Sequence, residues 1–94
     1  SNPNLYPEKF EINQIYPNPF NPITTIDYSI NESSNVQLSI YDITGRLITI
    51  LSNKFHTVGY HSIKWDATYF SSGIYFLKIS SENITKTQNI VLIK

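Results

Sequence analysis

The sequence predicts an all-β domain, an immunoglobulin-like β-sandwich of about seven antiparallel strands. Three observations carry this. The first is composition: fifteen isoleucines, eight threonines, seven tyrosines and five phenylalanines stand against one alanine (Ala67) and no methionine. Branched and aromatic side chains suit a pleated, half-buried surface, and the good helix formers are scarce. The second is a period-two alternation of apolar and polar residues through most of the chain. The third is the recurrence of turn signals at the roughly 8–12-residue spacing of sandwiches and barrels. At 94 residues and 10.8 kDa, the chain has room for one domain and one modest core.

The breakers organise the elements. All five prolines lie between Pro3 and Pro22, and the three glycines, Gly45, Gly59 and Gly73, all come later. Residues 1–9 read as a polar, proline-punctuated lead-in, and 10–94 as the domain. Lys9–Ile15 is the first strand candidate. Tyr16-Pro17-Asn18-Pro19-Phe20-Asn21-Pro22 then forces an extended, turn-rich path, since the residue before a proline is pushed out of the α region. Asn18 and Asn21 are expected to cap these turns with their amides. Thr24–Ile30 alternates, with Ile26, Tyr28 and Ile30 on one face. After a polar turn at Asn31–Asn35, Val36, Leu38 and Ile40 alternate with Gln37, Ser39 and Tyr41. Asp42-Ile43-Thr44-Gly45 fits a type I turn ending in glycine, and Arg46–Leu51 returns as the hairpin partner. Ser52–Gly59 reads as a longer connection with room for a short edge strand. His61, Ile63 and Trp65 share a face of the next strand. Ser71-Ser72-Gly73 turns the chain into Ile74–Ser80, Ser81-Glu82-Asn83 turns it again, and Ile84–Lys94 closes the sheet. The expected core is Ile26, Tyr28, Leu38, Ile40, Ile63, Trp65, Leu77 and Ile79.

Charge and residue chemistry exclude much. Seven basic residues balance seven acidic ones, which leaves no electrostatic footprint for nucleic acid or an anionic membrane. With no cysteine, disulfides, thiolate metal sites and cysteine nucleophiles are out. No apolar run approaches the ~20 residues of a membrane-spanning helix. Phosphate cradles and nucleophile elbows are missing. His56 and His61 lie five apart without a flanking acid and are read as surface or rim residues rather than ligands. Asp42 and Asp66 are read as turn or strand-end caps, and Asp27 as part of an exposed face. The expectation is no catalytic residue, no metal and no cofactor. Tyr41, Tyr60, Tyr69 and Phe70 are not obviously core, which keeps open a carbohydrate-binding module. A plain structural immunoglobulin-like spacer is the other alternative.

One ordered set of motifs goes further. It runs Tyr16 to Pro22, then Tyr41-Asp42-Ile43-Thr44-Gly45-Arg46, then Gly59 and Trp65-Asp66. It continues with Ser72-Gly73-Ile74-Tyr75-Phe76 and closes on Ile90-Val91-Leu92-Ile93-Lys94. From about Phe10 to Lys94 this order resembles the type A C-terminal sorting domain of type IX secretion cargo. That family is in turn similar in fold to the immunoglobulin-like domain of flagellar hook-capping proteins. The resemblance implies a β-sandwich at the end of exported enzymes and adhesins of the Bacteroidetes group, secreted or held at the cell surface. It implies as partners an N-terminal passenger on the same chain, an outer-membrane shuttle protein, the translocon and a sortase-like peptidase. A monomer is expected.

Within that resemblance, Tyr16, Pro17, Asn18, Pro19, Phe20, Asn21, Pro22, Gly45, Gly59, Trp65, Gly73 and Tyr75 are structural motif residues. Gly45 and Gly73 are read as turn glycines. Arg46, Lys86 and Lys94 are the candidates for contact with the export machinery. Lys94 ends the closing segment and Lys86 precedes it on the same strand, so the rim there is polar and available.

Overall fold

The computed structural model describes residues 6–94 and contains seven strands among them, with no helix. They are β1 (Glu11–Tyr16), β2 (Ile23–Ile30), β3 (Ser34–Tyr41), β4 (Leu47–His56), β5 (Gly59–Asp66), β6 (Gly73–Ser80) and β7 (Thr85–Leu92). The lead-in as far as Leu5 lies outside the described residues. Beyond it, Pro7 and Phe10 are buried, and the Asn31 amide donates to the Glu8 carbonyl.

Two antiparallel sheets face each other: β1-β2-β5 and β4-β3-β6-β7. In strand letters this is A-B-E against C′-C-F-G. It differs from the constant-type immunoglobulin arrangement in that the fourth strand joins the CFG sheet. Alternation along β2, β3 and β6 sends Ile26, Tyr28, Ile30, Val36, Leu38, Ile40, Tyr75, Leu77 and Ile79 inward, and β7 adds Ile90 and Leu92. Of the expected core, Ile63 alone is only partly buried, because β5 is an edge strand and its side chain packs at the seam. Ser29 breaks the simple alternation: it lies on the opposite face from Ile26 yet is buried, its hydroxyl donating to Asn13 on β1.

The main departure from expectation is β4. The sequence reads as a strand to Leu51 followed by a connection, yet the chain stays paired with β3 for ten residues. Register shifts at Leu38/Ser39 and Ile40/Tyr41 are the reason. Bulges re-phase the strand, so its apolar and polar residues no longer alternate in a single register.

Sheet register defines two poles. The chain enters the sandwich at one pole, which also carries the turns Asn31–Ser33, Thr57–Val58 and Ser81–Ile84. The opposite pole gathers the proline-rich segment, the β3–β4 turn, the β5–β6 corner and the end of β7.

Candidate functional site

The second pole is built on an aromatic floor. Phe20 and Trp65 are both buried, with ring centroids 5.2 Å apart. Trp65 also meets Tyr75 at 5.4 Å and Phe70 at 5.8 Å. Edge-on and tilted contacts of this kind are favoured by the quadrupoles of the rings. The Tyr75 hydroxyl, at the start of β6, donates to the Ser71 carbonyl at 2.6 Å. This ties the β5–β6 corner to the strand that follows, as the tyrosine corner of immunoglobulin-like domains does.

The proline-rich segment seals the edge of β7. Prolines remove backbone donors, so few N–H groups are left to satisfy, and those pair outward with the last strand. Phe20 donates its N–H to the Val91 carbonyl and accepts from the Ile93 N–H, both at 2.9 Å. Asn18 does not cap its own turn as expected. Its side-chain oxygen accepts from the Val91 N–H at 2.9 Å, and its amide donates to the Asn89 carbonyl at 3.4 Å. One side chain thus satisfies a donor and an acceptor of the strand, as a neighbouring backbone would. On the other side the segment is anchored by Thr24, which donates to the Pro17 carbonyl, and by Ala67, which donates to that of Pro22. The bonds Tyr16–Pro17, Asn18–Pro19 and Asn21–Pro22 are cis.

Two Asp-x-Thr turns flank the floor and repeat one geometry. Asp42 Oδ1 accepts from the Thr44 hydroxyl and from the N–H groups of Thr44 and Arg46. Asp66 Oδ1 accepts from the hydroxyl and N–H of Thr68. The threonine hydroxyls, seconded by the amides, hold both carboxyls below their ordinary value. Gly45 closes the first turn at φ 87°, donating its N–H to the Asp42 carbonyl at 3.0 Å. A type I turn followed by a left-handed residue is the standard three-residue hairpin loop, and glycine adopts that conformation without a Cβ penalty. The Arg46 guanidinium reaches back to Asp42 at 3.2 Å, the one ion pair among the described residues, and stays largely in solvent.

Nearly every motif residue singled out in the sequence therefore meets at one pole. The model of a family described as the secretion system C-terminal sorting domain matches residues 14–94, a span that contains this whole construction. The chain belongs to that family. No curated protein matches the chain.

This sorting domain is a C-terminal signal for type IX secretion, which takes an N-terminal passenger across the outer membrane to the cell surface or medium. The family is not known for catalysis. Of the residues put forward for contact, Arg46 and Lys94 share the motif pole. Lys94 is partly engaged: its N–H donates to the Ser72 hydroxyl and its ammonium to the Thr68 carbonyl. Lys86 pairs with Ile79, six residues up β7 from Leu92, or roughly 20 Å at the usual strand rise. Gly59 also lies away from this pole, opposite Ile30.

His56 requires a correction. His56 is buried rather than at the surface, accepting from the Tyr28 hydroxyl at 2.7 Å while its other ring nitrogen meets the Lys54 carbonyl. His61, half-buried, packs 5.0 Å away and bonds the Thr57 carbonyl. The unexpected length of β4 carries His56 inward over the end of Tyr28. Among the described residues no group of three or more potential ligands comes together. Asp27, expected on an exposed face, is half-buried between β1 and β5. Phe70 belongs to the aromatic floor, while Tyr60 and Tyr69 project into solvent at 60% and 97% exposure from opposite ends of β5. The clamp formed by Asn18 was missed from sequence. Its signal is present, a short amide between two prolines, but the acceptor and donor it serves are more than seventy residues away.

Proposed function

We propose that the motif pole is the face by which the export machinery recognises this domain, with Arg46 and Lys94 as its cationic contacts and Lys86 as an outlying one. The partners are an outer-membrane shuttle protein, which delivers the cargo to the translocon, and a sortase-like peptidase acting on the lead-in that joins residues 10–94 to the passenger. The domain itself performs no chemistry. It is an address presented as a shape.

The observation that carries this reading is the convergence of the proline-rich segment, the Asp42–Arg46 turn, the β5–β6 corner and the closing segment on one surface. The pole opposite holds the chain's first described residues, so a passenger joined there leaves the motif pole uncovered.

The test fuses the 94-residue chain behind a periplasmic reporter in a host with a type IX system. Export of the wild-type fusion with retention of folded Arg46→Ala or Lys94→Ala fusions is the expected result. Lys86→Ala, on a distant and exposed part of β7, separates recognition along the whole strand from recognition at the pole. Undiminished export of all three variants would sink the assignment of these cations.

A further inference from the structure

A sheet face that looks into solvent is ordinarily polar. The outward face of the four-stranded sheet is not. Register places Tyr41 between Leu47 and Phe76, Ile74 beside Val91, and Ile50 opposite Ser39. Leu47, Ile50 and Ile74 are each more than two-fifths exposed. These six side chains form one apolar patch over the half of the sheet nearest the motif pole. The charge of this face is of one sign. Lys78 is the one charged residue on this outward face: Lys54 pairs with Val36 and Lys86 with Ile79, whose side chains point inward, and the four strands carry no aspartate or glutamate.

From this we infer that the outward face of β4-β3-β6-β7 docks on a protein surface of the export route that is apolar and carries an acidic side chain opposite Lys78. The inference rests on the sorting-domain reading and adds a second surface beside the pole. Charge complementarity selects the partner. A second copy of the chain would bring Lys78 against Lys78 across the same patch. An anionic bilayer would gain only about 1 kcal/mol from the single lysine of this face. A sugar ring would need the open face of Tyr41, over which the Lys78 ammonium already lies at 5.6 Å.

The experiment uses reporter fusions of the full chain carrying Lys78→Glu, or Ile74→Thr with Phe76→Thr, where β-branched threonine preserves strand preference. Lys64→Glu, on the opposite sheet, is the control. The expected result is that both face variants lower export about tenfold, as loss of interface anchors does. Their melting temperatures should stay within about 3 °C of wild type, and the control should export normally. Zero-length carbodiimide coupling in exporting cells should join Lys78 to an aspartate or glutamate of a type IX component. Should the threonine pair unfold, Lys78→Glu alone decides. A wild-type fusion that stays in the periplasm sinks the sorting reading and this surface with it. Normal export of Lys78→Glu beside an exported wild type overturns the surface alone. A sedimentation dimer, or binding to vesicles of phosphatidylcholine with phosphatidylglycerol, that Lys78→Glu abolishes would also overturn it, by assigning the face to a second copy or to lipid.

Discussion

Trp65 is the residue on which the motif pole is assembled. It is 2% exposed and touches Phe20, Phe70 and Tyr75, while its indole N–H has no partner among the described residues. Its contribution is therefore packing, set against an unmet donor. Replacing it by alanine should cost about 3–5 kcal/mol, most of what a small domain possesses. Urea denaturation measures that loss, and a native emission spectrum already typical of water would contradict the burial. The paired Asp-x-Thr turns make a separate prediction about acid. Asp42 and Asp66 are both held below their ordinary value of 3.8, so the folded chain binds fewer protons there than the unfolded one. The stability they supply is complete above the ordinary carboxylate value and is lost as pH falls through their lowered ones. Stability should thus hold from neutrality to about pH 4 and decline below it. Replacing Thr44 and Thr68 by valine should flatten that acid slope, which denaturation across a pH series reads directly. A slope unchanged by both substitutions would remove these turns from the account.

At the scale of elements, the informative strands are the two edges of the four-stranded sheet. β7 has half of its outer edge closed by the proline-rich segment, chiefly through Asn18 and Phe20, and half open from Thr85 to Gln88. Asn18→Ala removes one bond donated and one accepted, at about 1 kcal/mol each. Amide exchange should quicken at Val91, whose N–H loses its acceptor, and remain slow at Leu77 in the sheet interior. Equal protection at Val91 in the variant would show that the clamp contributes nothing. β4 shows how far local patterning can mislead. Leu47, Ile48, Ile50 and Leu51 follow no single period, because two bulges turn successive side chains to different faces. The strand therefore reads as short in sequence while pairing for ten residues, and its final residue, His56, is drawn into the interior.

For the whole molecule, β7 closes one side of the sandwich and also forms part of the motif pole. Deleting residues 84–94 should abolish cooperative unfolding, since Ile90 and Leu92 leave the core and β6 loses its outer partner. A calorimetric transition surviving in the truncated chain would show that β7 is dispensable to the fold, and would make any accompanying export defect one of recognition alone. How much of this architecture could be foreseen follows from the range of the forces involved. Composition and alternation announce strands, and Gly45 and Gly73 announce their turns, since side-chain period and backbone sterics act within a few residues. The ordered motifs from Tyr16 to Lys94 likewise point to the family, because their spacing is itself sequential. The depth of His56, the bulged course of β4 and the apolar outer face of the larger sheet could not be read this way. Each depends on which strand lies beside which, and a one-residue slip in pairing moves every side chain to the other face. The reach of Asn18 to Asn89 and Val91 belongs with these, for it was settled by a contact across the closed sandwich that no local preference encodes.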